Sequence, residues 1–555
     1  PPTHAPRPAL KEVPLTAIQA AFLARPVPNR GHWNQSVLLV PRDTLAPPTL
    51  ADVLAALVAR HEALRLRVRP RGERWTQGVA AAETADLLTV HTLADASELP
   101  AACEAVQRGI DIGEGPLLRA LLAHLPDGSQ RLLLAIHHLA VDGVSWRVLL
   151  DDLALGLDQQ SRGETIALPA PETDFSDYAR ALLLHAHSET LRDEAEHWTA
   201  TAGPSLPPSP TRLGEAHRRA TRLDSAATRA VMETAPASLD ARPHELMTAA
   251  LARALATDTD AVTLWLEGHG RDPSFAPADL DRTVGWLTSL YPVRLPVRGD
   301  RAEQVTEVRN ALRAVPEGGV GYGLLAHLAA PELRAAVSAP RGPVFNYLSR
   351  LDAEMAGGAF TLAPEGPGTE RDPDAPMLDP LRVDARLRDG RLHIDWLFDP
   401  ALYDAAEAER IVTAFEAELR RLAGAGPADA RAADRYPLSP MQQGLFFHAR
   451  LSPGDTAYVN LLGLTLDDLD VERFRAAWRG AFARHDILRS TFHARDGAEP
   501  EQVVHAGAEP AFEEHDWRGL PDLDTRLARL GEEERARGFD LAAAPPMRLV
   551  LVRTG

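Results

Sequence analysis

The sequence predicts an α/β protein of roughly three or four compact units. Three observations carry this. The chain has 555 residues, too many for one hydrophobic core. Short apolar runs closed by turn residues alternate with segments of helical spacing. Landmarks near the start also return near the end. Pro14-Leu-Thr-Ala-Ile18-Gln19 comes back as Pro437-Leu-Ser-Pro-Met441-Gln442, an offset of 423. Ala59-Arg-His61-Glu-Ala-Leu64-Arg65 returns as Ala483-Arg-His485-Asp-Ile-Leu488-Arg489, an offset of 424, and Gly115-Pro116-Leu-Leu-Arg119 as Ala544-Pro545-Pro-Met-Arg548, an offset of 429. Three landmarks in one order at nearly one offset mark a repeated module.

The elements follow in order. Residues 1 to about 12 read as a Pro-rich linker. A helix is predicted with Thr49 as N-cap and Leu50, Val53, Leu54, Leu57, Val58 and His61 on one face. Leu64 to Val68 and Leu132 to Ile136 are predicted strands, the second apolar throughout and therefore buried. After Gly143 the spacing of Trp146, Leu149, Leu150 and Leu153 is helical. Gly203 to Pro210 is read as a hinge between two halves. The second half gives a helix over 245–256 and a strand over 261–266 running into Glu267-Gly-His-Gly-Arg271. Pro316-Glu-Gly-Gly-Val-Gly-Tyr322-Gly323 is read as a loop. Strands follow at 344–348 and 392–396, then a long helix from Asp404 to Leu422 with Asp404 as N-cap. Residues 423–434 are a low-complexity linker.

Composition excludes several function classes. Net charge is -19, spread along the chain, which argues against nucleic acid. No apolar stretch reaches transmembrane length, and the start has no secretory h-region, so a cytosolic protein is the default expectation. The single cysteine, Cys103, excludes an intrachain disulfide framework and a multi-cysteine metal site. Lys11, in the Pro-rich start, is the only lysine. A P-loop and a pyridoxal Schiff base each need a lysine in a folded site, so neither is expected. The Arg-, Ala- and Pro-rich usage points to a GC-rich bacterial genome.

The chemistry-bearing stretch is Ile136-His137-His138-Leu-Ala-Val-Asp142-Gly143-Val-Ser145-Trp146. It places two histidines in a strand-to-helix turn, where an imidazole is a candidate general base near neutral pH. The rival reading is a core histidine. Successive strand residues point to opposite faces, so a shared metal ion on His137, His138 and Asp142 is not expected. Asp142 before Gly143 also reads as an ordinary turn residue. Glu267 lies where a strand meets a Gly-flanked loop. It is either a solvated carboxylate or, if enclosed by apolar walls, an acid of raised pKa.

These blocks resemble the condensation-domain superfamily of nonribosomal peptide synthetases, through His-His-x-x-x-Asp-Gly at 137–143. They are similar to its epimerization branch through Val144-Ser145-Trp146, Glu267 to Arg271, Thr283 to Pro292 and Val344-Phe-Asn346-Tyr347-Leu348. His32-Trp33-Asn34-Gln35 matches the opening block. Leu287 stands where Phe is usual and Ser349 where Gly is frequent. Tyr436 to His448 resembles the start of condensation domains that accept a D-configured donor.

The resemblance implies two chloramphenicol-acetyltransferase-like lobes in a V-shaped pseudo-dimer, plus a partial third lobe. Residues 1–12 would link to an upstream carrier domain. Residues 13–205 and 206–425 would be the N- and C-lobes of an epimerization domain, 426–435 a linker, and 436–555 the front of a condensation domain. The counterpart of His138 there is expected near position 567, past Gly555, so no catalysis is expected from the third lobe. The implied reaction interconverts L and D configuration at Cα of an aminoacyl or peptidyl thioester. The thioester rides on the phosphopantetheine arm of a carrier domain; no cofactor is expected on this chain. His138 and Glu267 are the implied catalytic pair. His137, Asp142, Gly143, Ser145, Trp146, His269 and Arg271 are the supporting set. Tyr291 and Trp286 are expected as pocket wall or core, and Asn346 and Tyr347 as hydrogen-bond donors to the thioester oxygen or substrate amide. The expected partners are the upstream carrier and the downstream condensation module. The competing readings are a peptide-bond-forming condensation enzyme and a non-catalytic carrier-docking module.

Overall fold

The computed structural model describes residues 10–82, 87–201, 209–257, 259–271, 273–348, 358–388, 390–424, 434–438, 440–451, 459–466, 469–493, 500–505, 510–539, 541 and 547–554. The chain forms two compact units. The first holds residues 1–229 and 243–420, the second 230–242 and 421–555.

The first unit has two large sheets. One has the order β12-β2-β7-β6-β5, with β2 at Asn34–Pro41, β5 at Leu88–Thr92, β6 at Leu118–His124, β7 at Gln130–His137 and β12 at Phe360–Leu362. β7 sits mid-sheet, and Leu132 to Ile136 are all essentially inaccessible, which explains their unbroken apolar run. The helix Gly143–Ser161 follows and packs on the helix Pro47–Arg60. The two backbones approach closely at Gly156, where a Cβ would sit 2.7 Å from Val53 Cγ1. A small sheet of β1 (Lys11–Val13), β4 (Arg74–Val79) and β3 (Leu66–Arg71) completes this lobe.

The second sheet has the order β10-β9-β11-β13-β14-β8. Its strands are β8 at His217–Arg222, β9 at Ala261–Gly268, β10 at Ser289–Pro296, β11 at Val344–Leu348, β13 at Leu381–Arg388 and β14 at Arg391–Phe398. On β13, Leu381, Val383 and Ala385 are buried and alternate with Arg382, Asp384 and Arg386. The charged row therefore shares one face, and on that face lies the site. The strand β12, though late in the chain, adds to the first sheet by pairing with Leu39–Pro41.

Several expectations shift. The helix predicted from Thr49 starts at Pro47 with Ala46 as N-cap, because proline's fixed φ suits a first turn. Its neighbour Glu62–Arg65 is a 3₁₀ turn, so the strand begins at Leu66 rather than Leu64. The Gly-rich stretch read as a loop is a 3₁₀ turn, Pro316–Gly319, followed by a helix, Val320–His327. Asp404 does cap its helix, accepting from Glu407 N–H at 2.8 Å. Residues 203–208 of the expected hinge and residues 426–433 of the linker at 426–435 lie outside the described residues, as does Ser349.

The second unit repeats the first module's local bonds. It carries β15 (Asp434–Pro437), β16 (Ser490–His493), β17 (Glu501–Val504), β18 (Ala511–Asp516) and β19 (Arg548–Arg553). Gln77 Nε2 donates to Gln19 Oε1 at 2.8 Å; Gln442 Nε2 donates to Gln502 Oε1 at 2.9 Å. Arg65 donates to the carbonyls of Val58 and Ala80, and Arg489 to those of Phe482 and His505. β5 runs parallel to β6, and β18 parallel to β19.

Candidate active site

A cavity lies inside the first unit. Its walls include Phe22, Trp33, His138, Glu267, Trp286, Arg371, Asp379 and Arg382. The two residues singled out as a catalytic pair, from strands 129 positions apart in sequence, thus meet at one cavity.

His138 follows the last residue of β7. Its Nδ1 lies 2.9 Å from the Val141 carbonyl, which only accepts, so Nδ1 carries the hydrogen and Nε2 keeps its lone pair. The indole N–H of Trp146 only donates, and it reaches Gln35 Oε1 at 2.9 Å. That fixes the Gln35 amide with its nitrogen toward His138 Nε2, 3.1 Å away. Trp286 stacks on the imidazole at 4.1 Å between ring centroids. Burial, with the Arg371 guanidinium nearby, holds the His138 pKa down at about 3. At neutral pH the ring is therefore uncharged, with a lone pair to accept a proton.

Glu267 sits on β9 opposite Leu290. Arg382, on β13 beyond the intervening β11, reaches across to Glu267 Oε1 at 2.8 Å and to Asp384 Oδ2 at 3.0 Å. Burial raises the Glu267 pKa and outweighs the pull of Arg382, with the Asp384 and Asp379 carboxylates adding to the rise. A carboxyl so placed holds a proton more readily than an ordinary glutamate does.

The supporting residues form a buried clamp behind the site. Asp142 caps the helix at Ser145 N–H, 2.9 Å, and binds Arg271 twice, at 2.8 and 2.9 Å. It also accepts from Leu287 N–H at 3.0 Å, and Ser145 Oγ contacts the Gly285 carbonyl at 3.0 Å. These bonds pin the segment 285–287, and so Trp286, against His138. Gly270 has φ of +65°, and a Cβ there would collide with the Leu287 carbonyl, so this turn requires glycine. His269 braces Arg271 through its ring and its carbonyl. Gly143 begins the helix, with Leu348 of β11 3.9 Å from where its Cβ would be.

His137 is wholly buried, with Nε2 2.6 Å from the Arg30 carbonyl and Nδ1 accepting from Leu139 N–H at 3.1 Å. Both ring nitrogens are thus taken by backbone, and Asp142 is taken by Arg271, so His137, His138 and Asp142 do not converge on one point. Tyr291 faces away from the cavity. Its neighbour Leu290 lines it, and pleating turns Tyr291 to the other side, near Trp198 at 6.1 Å. Asn346 and Tyr347 lie on β11 between the Glu267 and Arg382 strands, and neither is part of the cavity wall. Sequence reasoning did not single out Arg371 and Arg382 or give Gln35 a role. The alternation of charge and apolar residues over 381–388 was a signal for Arg382; nothing local marks the other two.

With this geometry in view, the comparisons are decisive for the family. The condensation-domain profile matches residues 9–429 and again 432–555. The chain belongs to the condensation-domain family. Curated relatives include linear gramicidin synthase subunits C and B of Brevibacillus parabrevis, each 33% identical over 98% of this chain. The chain spans only 8% and 11% of their lengths. Among solved structures, the epimerization domain from the third module of tyrocidine synthetase B is 27% identical, with a TM-score of 0.68 over 75% of this chain and 96% of that one. The first condensation domain of the CDA synthetase shares the fold at 21% identity and a TM-score of 0.54, over 75% of this chain and 97% of that one. The condensation-family fold confirms the two acetyltransferase-like lobes, and the second match identifies the partial third. No helix among the described residues is long and apolar enough to cross a membrane.

Proposed function

We propose that the first domain is an epimerase. It interconverts L and D configuration at Cα of an aminoacyl or peptidyl thioester carried on the phosphopantetheine arm of an upstream carrier domain. The observation that supports it most is a neutral imidazole and a carboxyl of raised pKa lining the same cavity. A base alone would suit amide formation. A second proton carrier in the same chamber suits removal of a Cα proton and its return on the other face. His138 Nε2 takes or gives the proton on one side and Glu267 on the other. The apolar wall of Ile18, Ala21, Phe22, Met377 and Leu378 suits a thioester arm and keeps water scarce around the carbanionic carbon. The product would pass to the downstream condensation module, the second family match.

The test is deuterium uptake at Cα of an L-aminoacyl thioester on a carrier protein in heavy water, with chiral analysis of the released acid. Uptake with D-product, the D-product being lost in His138→Ala, supports epimerization. Amide formation with an acceptor thioester and no uptake would overturn it in favour of condensation.

A further inference from the structure

Removing the Cα proton leaves a charge to be housed. The C–H electron pair becomes the new C–C π bond, and the C=O π pair moves onto the thioester oxygen. That oxygen needs a fixed positive neighbour. Among the described residues three guanidiniums line the cavity, those of Arg25, Arg371 and Arg382. Two are already occupied. Arg382 is bonded to Glu267 and Asp384 and lies 3.9 Å from Asp379. Arg25 lies 3.6 Å from Asp379 and reaches the Leu378 carbonyl at 3.5 Å.

Arg371 is different. Among the described residues no carboxylate or carbonyl is within hydrogen-bond or ion-pair distance of its guanidinium. Its close contact is the face of Trp33, 4.6 Å from Cζ to the ring centroid. The Trp33 carbonyl in turn accepts the backbone N–H of His138 at 2.9 Å, so the guanidinium is held beside the base. The carboxylates of Asp384, Glu370 and Glu267 act on this guanidinium from beyond contact distance, so its N–H groups are left for a ligand that brings negative charge. Its effect on the neighbouring imidazole is consistent with this placement, since it helps hold the His138 pKa down.

We propose that Arg371 is the oxyanion-stabilising residue: its N–H groups hold the thioester oxygen while the Cα proton is away. The inference rests on the epimerase reading. It assigns to Arg371 the task that sequence alone had offered to Asn346 and Tyr347.

The test compares wild type, Arg371→Gln and Arg371→Ala on carrier proteins loaded with L-phenylalanine or L-aspartate, reading Cα deuterium uptake. Loss of one oxyanion donor should slow exchange about 10²- to 10³-fold on both substrates. Added guanidinium ion should restore part of the rate in Arg371→Ala, which a misfolded protein would not show. Wild-type exchange rates in Arg371→Gln would overturn the proposal. So would a loss confined to the aspartyl carrier, which would make Arg371 a side-chain specificity residue, or a loss with no rescue. Absence of exchange in wild type would instead overturn the epimerase reading, and this inference with it.

Discussion

The two copies of the module agree closely until one strand. In the first copy Asn34–Pro41 forms β2, paired with β7, the strand that leads into the histidine turn. In the second copy Asn460-Leu-Leu-Gly-Leu464 takes the same place between the landmarks, yet it pairs with no described strand. Leu38 is 3% exposed and Leu464 is 71% exposed. The two segments share Asn and Leu at matching positions, Asn34 with Asn460 and Leu38 with Leu464, and the leucines differ in burial. β2 has β7 beside it, residues 460–464 have no strand beside them among the described residues, and burial follows the neighbour. The caps, turns and glutamine pair that recur in both copies need only neighbours present in both.

The sharpest way to break this comparison is a paired substitution. Leu38→Asp should cost at least about 4 kcal/mol by burying an unpaired charge in the first copy. Leu464→Asp should change stability by no more than about 0.5 kcal/mol. Denaturation of each variant, followed by tryptophan fluorescence, reads both. Equal costs would mean that residues 460–464 are packed as β2 is.

Asp142→Ala comes next. It leaves Arg271 buried without its partner, and a broken buried pair costs about 3–5 kcal/mol. Hydrogen exchange should show loosening at 283–287 in the first copy and none over 490–504 in the second. The smallest effect is acid sensitivity. Burial holds the His137 pKa at about 4, so below pH 6.5 the unfolded chain takes up a proton that the folded chain refuses until about pH 4. Stability should fall with pH across that window, by about 2 kcal/mol from pH 7 to 5 for this one residue. The dependence should weaken in His137→Gln.

Much of the site was legible because it is local. The histidine turn is written in one continuous stretch: an apolar run, two histidines, an Asp-Gly and then helical spacing. Glu267 was legible in the same way, as a charged residue closing a strand at a Gly-flanked loop. What escaped depends on distance in sequence. Gln35 acts through Trp146, 111 residues away, and Arg382 through Glu267, 115 away. Arg371 gains its position only when residues after β12 fold back on Trp33, a crossover that no local pattern announces. The fold divides similarly. The interior strands and long helices were readable by period. The start at Pro47, the helix at Val320–His327 and the insertion of β12 into the first sheet were decided by proline geometry and tertiary pairing.

The central claim is a two-sided proton transfer, with His138 serving one face of Cα and Glu267 the other. The most direct measurement is Cα exchange in heavy water starting separately from L- and D-aminoacyl carrier, in His138→Ala and in Glu267→Gln. The account predicts that each variant loses exchange from one configuration and keeps it from the other, with the two variants complementary. Loss from both configurations in both variants, or from neither, would contradict it.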